Sequence, residues 1–155
     1  MSFFAGLLMA NLGEYWVHRM QHQNMVKGSD HADHHRDNAA RGVFKEYWAY
    51  LRPSLAVMIP ITFLNYYSLN RGVAISWFLG ALIGIAFSAW THEVQHTNPN
   101  LVFWSKPLHF FHHNHTPNHN FGFSFSLWDR MFGTYKEVSW NRVATPRSEY
   151  WKVKW

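Results

Sequence analysis

Three apolar segments alternate with polar segments along the chain. Residues 53–69 and 72–91 contain no charged side chain, and residues 2–17 contain a single one. An α-helix rises about 1.5 Å per residue, so the two uncharged segments are long enough to cross a bilayer, while residues 2–17 are short for a full crossing. Residues 70–71, just ahead of a glycine, favour a turn between the two long segments. The pattern predicts an all-α integral membrane protein with a transmembrane hairpin and a short N-terminal helix.

The charged residues are concentrated in two polar segments, residues 18–52 and 92–155. Thirteen of the 14 Lys and Arg residues lie there, and the remaining one is Arg71 in the turn. Cytoplasmic segments of membrane proteins are enriched in basic residues, so we expect both polar segments to face the cytoplasm. No Gly- or Ser-rich linker interrupts the chain. Residues 1–155 are therefore predicted to form one domain, with a cytoplasmic, histidine-rich helical cap on the membrane helices.

Ten of the 12 histidines fall into four clusters, two before the hairpin and two after it. Within a cluster, members three or four positions apart lie on one face of a helix. The predicted hairpin brings all four clusters to its open end. The clustered histidines are His18 and His22; His31, His34 and His35; His92 and His96; and His109, His112 and His113.

Ten clustered imidazoles exceed what a single ion binds, so the clusters predict two metal ions. Neutral imidazole suits iron, copper, zinc and nickel, and the chain has no cysteine for thiolate ligation. Two Fe²⁺ ions with open coordination positions can reduce O2 and oxidise an unactivated C–H bond. We therefore expect two iron ions as the cofactor and O2 as co-substrate, and zinc can replace iron during purification.

Two other classes of function explain the sequence less well. A net charge of +5 is compatible with nucleic-acid binding, but 13 Phe, nine Trp and seven Tyr residues favour a lipid interface instead. A non-catalytic membrane metal-binding or transport protein needs ligands along its membrane path. Residues 53–69 and 72–91 contain no histidine or carboxylate, which argues against transport.

Residues outside the clusters supply further candidates. Additional ligands, or side chains that hydrogen-bond to the ligands, are expected among His119, Glu14, Asn11 and Asp129. The aromatic segment that follows the fourth cluster contains glycines and polar residues, so it is expected to pack over the metal site and not to span the membrane. Its side chains predicted to line the substrate path are Phe121, Phe123, Phe125 and Trp128.

The order of these motifs resembles that of the fatty acid hydroxylase/sterol desaturase superfamily of integral membrane di-iron enzymes. The resemblance is carried by residues 11–22, the four histidine clusters, and the sequence Trp-Asp-Arg-Met-Phe-Gly-Thr-Tyr that ends at Tyr135. Two features depart from the family pattern. Asn11 stands where the family often has Asp, and family members usually have about four membrane helices.

The resemblance implies an O2-dependent enzyme that acts on a lipid, with the clustered histidines as iron ligands. The substrate would be a fatty acyl, ceramide or sterol-like lipid, and a cytochrome b5 or ferredoxin-type protein would deliver electrons. Hydroxylation of an aliphatic C–H bond is the main expectation. Lipid desaturation and carotenoid ring hydroxylation stay open, because enzymes that catalyse them share the histidine pattern.

Overall fold

The computed structural model describes residues 1–23, 25, 29–143, 145–146, 148–149 and 152–155. Within this part of the chain all regular structure is helical, which confirms the predicted all-α class. In order, the helices are α1 (Ser2–His22), α2 (Ser29–Asp37), α3 (Val43–Ser68), α4 (Arg71–Thr97), a 3₁₀ turn (Pro99–Leu101), α5 (Leu108–Asn114) and α6 (Leu127–Met131).

Helix α4 packs against both α1 and α3, while α1 and α3 barely touch each other. The α1–α4 contact is close because glycines face the opposite backbone. A Cβ atom built on Gly6 would lie 2.1 Å from the carbonyl oxygen of Trp77, and one on Gly80 would lie 2.1 Å from that of Phe3. This packing fixes the ends of α1 and α4, which carry two of the histidine clusters, relative to each other.

Helices α3 and α4 are consecutive and pack through buried apolar side chains, including Leu51 and Met58 of α3 and Trp77 and Ile85 of α4. Asn70 caps the N-terminus of α4, and its side chain accepts a hydrogen bond from the N–H of Val73 at 3.0 Å. The turn predicted at residues 70–71 therefore lies one residue earlier, at 69–70. Helix α4 continues through the third histidine cluster and ends at Thr97.

Helix α3 begins at Val43, ten residues before the predicted start at residue 53. The uncharged residues 53–69 cover only the later part of this helix, because its first turns carry Lys45 and Glu46. Glu46 is nevertheless buried. The polar extension lets α3 reach the histidine clusters.

Of the helices described, α4 is the one that is long and apolar enough to cross a membrane. The outer face of α3 exposes large apolar side chains such as Phe63, Leu64 and Tyr67, and α1 exposes Phe4 and Leu8. Membrane crossing by α1, α3 and α4, the transmembrane hairpin and the cytoplasmic orientation stay predictions.

Candidate metal centre

Eight histidines form two groups of four at the end of the helices. Within each group, one ring nitrogen from every member lies within 4.8 Å of the others. Helices α1, α2, α4 and α5 each contribute to this arrangement. The first histidine group is His18, His22, His35 and His112; the second histidine group is His34, His92, His96 and His109.

The first histidine group converges through its Nε2 atoms. The Nε2 atom of His22 lies 3.2 Å from that of His18, 3.0 Å from that of His35 and 2.9 Å from that of His112. Adjacent nitrogen ligands of an octahedral ion, bound at about 2.1 Å, are about 3.0 Å apart. The spacing therefore fits one ion at the centre of the group.

Main-chain carbonyl groups determine which ring nitrogens in the first group carry a proton. Nδ1 of His18 lies 2.7 Å from the carbonyl oxygen of Phe121, and Nδ1 of His112 lies 2.7 Å from that of His119. A carbonyl oxygen only accepts, so both Nδ1 atoms donate and both Nε2 atoms keep lone pairs. His22 can donate at most one Nε2–H, so it cannot donate to the Nε2 lone pairs of both His18 and His112. A cation between these nitrogens resolves the conflict.

The second histidine group shows the same arrangement. The Nε2 atoms of His34 and His92 are 3.0 Å apart, and those of His96 and His109 are 3.2 Å apart. Nδ1 of His34 donates to the carbonyl oxygen of Ala39 at 3.0 Å, which leaves its Nε2 lone pair facing the group. The donor set of this group also fits an ion that prefers imidazole.

The remaining two clustered histidines lie beside the groups. The ring centroid of His31 is 4.6 Å from that of His35, and His113 stacks on His35 at 3.8 Å. The ring of His113 is also 4.5 Å from that of His96. Nε2 of His31 and both ring nitrogens of His113 are buried without a hydrogen-bond partner among the described residues. All ten predicted ligands are therefore brought together, eight of them with converging nitrogens.

Burial keeps these imidazoles neutral at physiological pH. Burial, helped by repulsion from neighbouring imidazoles, lowers the pKa of His22 and of His31 to about 4. The same causes lower the pKa of His35 to about 2 and that of His112 to about 3. A neutral imidazole has a free lone pair, so the rings are ready to bind metal without first losing a proton.

Comparison with known proteins decides the family. Residues 3–134 match the Fatty acid hydroxylase family. The chain belongs to this family. It is also 26% identical, over 149 residues, to the alkylglycerol monooxygenase of Xenopus tropicalis, an alignment that covers 86% of this chain and 30% of that protein. The chain thus spans less than a third of that relative's length, and no solved structure matches it.

Glu14, which was predicted to support the histidines, holds the loop whose backbone contacts His18. Its buried carboxylate accepts hydrogen bonds from the backbone N–H groups of Phe123 and Ser124, at 2.5 and 3.0 Å, and from the Ser88 hydroxyl. Asn11 donates to the same carboxylate at 3.3 Å. Glu14 and Asn11 thus act on the histidines through the loop and not by direct contact.

Asp129 holds the preceding part of the same loop. Its carboxylate accepts from the N–H groups of Phe121 and Gly122, at 2.8 and 2.9 Å, and from the Thr134 hydroxyl at 2.8 Å. Asp129 and Glu14 together therefore hold the N–H groups of residues 121–124. The carbonyl oxygen that orients His18 belongs to this segment. His119 contributes in the same way, through the carbonyl oxygen that orients His112.

Two of the four aromatic side chains predicted for the substrate path contact the histidine groups. The ring centroid of Phe121 is 5.3 Å from that of His112 in the first group. Phe123 touches both groups, since its ring centroid is 4.8 Å from His18 and 4.5 Å from His109. Phe123 is therefore well placed to separate the two groups from the apolar helices.

The other two aromatic side chains contact different neighbours. Phe125 packs on Phe87, with centroids 5.7 Å apart, and Trp128 packs on Phe132 at 6.2 Å. Among the described residues, neither the Phe125 ring nor the Trp128 ring contacts a histidine of the two groups. A substrate path through Phe125 and Trp128 stays a prediction.

Sequence reasoning missed two polar residues at the site. Gln95 is fully buried; its amide donates to the carbonyl oxygen of Phe123 at 2.7 Å and accepts from the N–H of His109 at 2.8 Å. Glu46 lies beside the ring of His92. Gln95 could have been noticed as a polar residue between His92 and His96, but it lies off their shared face. No spacing signal marked Glu46.

Proposed function

We propose that this chain is a membrane-bound, O2-dependent di-iron hydroxylase that inserts oxygen into an aliphatic C–H bond of a lipid. The observation that carries the proposal is the pair of four-histidine groups, whose Nε2 lone pairs converge at metal-ligand spacing in a fatty acid hydroxylase family chain. The relative's description as a monooxygenase supports oxygen insertion. The substrate class that we propose is a fatty acyl, ceramide or sterol-like lipid.

Each histidine group would hold one iron ion, with His31 and His113 as further ligands beside the two groups. A bound Fe²⁺ pair supplies the chemistry that reduces O2 and oxidises the C–H bond. The overall reaction is RH + O2 + 2 e⁻ + 2 H⁺ → ROH + H2O. We propose that an external cytochrome b5 or ferredoxin-type protein supplies both electrons.

The chain's own residues prepare this reaction by fixing ligands and excluding water. Carbonyl groups of the loop residues Phe121 and His119 hold His18 and His112 in the metal-binding tautomer. Phe123 covers both groups with an apolar ring, which favours an alkyl chain over water. Holding the C–H bond beside these groups lowers the entropic part of the activation barrier.

The position of the groups supports a lipid substrate. His92 and His96 lie in the last turns of α4, the helix that is apolar and long enough to cross a membrane. The groups would then lie at a membrane surface, which we propose is the cytoplasmic one. We further propose that residues 1–155 act as one domain. A lipid could reach the groups from the membrane without passing through water.

Desaturation and carotenoid ring hydroxylation would use the same ligands, so the histidines do not separate them from lipid hydroxylation. The monooxygenase relative favours oxygen insertion. A non-catalytic metal-binding protein fits less well, because the grouped histidines lie at one end of α4 and none lies along residues 72–91.

The proposal is tested by comparing the lipids of a host that expresses the wild-type chain with those of a host that expresses the His92→Ala/His112→Ala double variant. Each substitution removes a ligand from one group. We expect a hydroxylated lipid in the first host and its absence in the second. Identical lipid profiles, with iron and an electron donor supplied, would contradict the proposal.

A further inference from the structure

Glu46 is a buried carboxylate in the first turn of α3, and it faces a histidine of the second group. Its Oε2 atom lies 3.6 Å from Nδ1 of His92. Its Oε1 atom accepts hydrogen bonds from the backbone N–H and the Nε–H of Arg41, both at 3.2 Å. The side chains of Glu46 and His92 are each only 4% exposed, so water screens their interaction weakly.

The partner of Nδ1 in His92 differs from the partners of Nδ1 in three other grouped histidines. Nδ1 of His18, His112 and His34 donates to neutral main-chain carbonyl groups. Nδ1 of His92 has no partner at hydrogen-bond distance among the described residues, and it faces an anion instead. A carboxylate at this position favours a proton on Nδ1, which leaves the Nε2 lone pair for the metal and makes the ring a stronger ligand.

The burial of Glu46 also calls for a compensating positive charge. A buried carboxylate is costly unless it is paired. The Arg41 side chain, which is 41% exposed and therefore screened by solvent, and a hydrogen bond with the Tyr50 hydroxyl compensate this cost in part. A metal ion bound at Nε2 of His92 would add positive charge near the Glu46 carboxylate and so stabilise it.

We propose that Glu46 is a positioning residue that acts through His92 to strengthen metal binding in the second histidine group. The inference rests on the proposed function, since it requires that this group holds a metal ion. The first histidine group lacks such a contact among the described residues, so the effect of Glu46 is confined to one of the two ions.

The test is an anaerobic Co²⁺ titration of the metal-free full chain in detergent, against a competing chelator. Glu46→Gln keeps the size of the side chain and removes its charge. Its matched control is Glu93→Gln, because Glu93 is an equally buried carboxylate nearby that accepts from the N–H of Gly42 at 2.9 Å. We expect Glu46→Gln to weaken one of the two Co²⁺ sites by about 10–100-fold and Glu93→Gln to weaken neither.

Two further variants separate positioning from simple structural support. Arg41→Gln keeps the carboxylate beside His92, so it should leave both Co²⁺ affinities within a few-fold of wild type. His92→Ala removes a ligand of the second histidine group, so the Co²⁺ site that remains in this variant is the one in the first group. If Glu46 acts through His92, adding Glu46→Gln should not weaken that remaining site. Additional weakening there, or an equal loss at both sites with lower thermal stability, would overturn the positioning role.

The outcomes also distinguish this inference from the proposed function. Two ions bound with unchanged affinity by Glu46→Gln would overturn the inference alone. Wild-type protein that bound fewer than two Co²⁺ ions would overturn the proposed function, and this inference with it.

Discussion

A methyl group at Gly6 should force apart the two helices that carry four of the eight grouped histidines. The Cβ atom of Gly6→Ala would lie 2.1 Å from the Trp77 carbonyl oxygen and 2.7 Å from the backbone nitrogen of Ala81. Carbon–oxygen contacts in proteins are normally about 3.3 Å or longer, so the helix backbones must separate by about 1 Å. Because both neighbours are backbone atoms, no side-chain rotation relieves the clash.

Gly13→Ala is the matched control, since nothing lies within 4 Å of a Cβ atom at this position of the same helix. Both variants gain about 0.5–1 kcal/mol from replacing a helical glycine, and this gain cancels in the comparison. Overpacking costs about 1–3 kcal/mol. Gly6→Ala should therefore have a free energy of unfolding about 1–3 kcal/mol below that of Gly13→Ala.

The assay is denaturant-induced unfolding of the purified variants in mixed detergent micelles, followed by circular dichroism. The metal content of each folded variant is measured in parallel. A shift of about 1 Å between α1 and α4 should also reduce metal content in Gly6→Ala, because bound metals tolerate small ligand displacements only. Equal free energies of unfolding for Gly6→Ala and Gly13→Ala would show that α1 and α4 accommodate the added methyl group without separating.

Three further predictions concern the metals, the membrane and the substrate. Anaerobically iron-loaded protein should hold two metal ions by elemental analysis, and His92→Ala or His112→Ala should each lose at least one; an unchanged content would contradict the ligand assignment. An impermeant thiol reagent should label a cysteine at Lys136 from the cytoplasmic side and one at Asn70 only from the other, and labelling from the same side would refute the topology. Phe123→Ala should change the chain-length preference of the product, measured by mass spectrometry, more than the metal content; the reverse would make Phe123 a support of the histidines.

The sequence predicted that the ten clustered histidines would meet, but not how they divide. The spacing did not indicate which members of a cluster would share an ion, and the adjacent residues His34 and His35 join different groups. His109 and His112 divide in the same way, although three positions separate them. The division depends on how the helices cross, which local spacing does not encode.

The supporting contacts were equally hidden, because they join residues far apart in the chain. His18 is oriented by a carbonyl oxygen 103 positions away, at Phe121. A carbonyl group is present at every residue, so no side-chain pattern marks the ones that orient these histidines. Side chains such as Glu14 and Asp129 could be predicted as supporting residues because they are acidic, but their role in holding the loop required the structure.

Turnover with isotopically labelled O2, using iron-loaded protein, a lipid extract from the host and an external electron donor, tests directly whether this chain hydroxylates a lipid. We expect a lipid alcohol that contains one labelled oxygen atom, with no product when the donor is withheld. An unlabelled olefin would identify a desaturase instead. Absence of any lipid product, in protein shown to hold two iron ions, would contradict the assignment of this chain as a lipid hydroxylase.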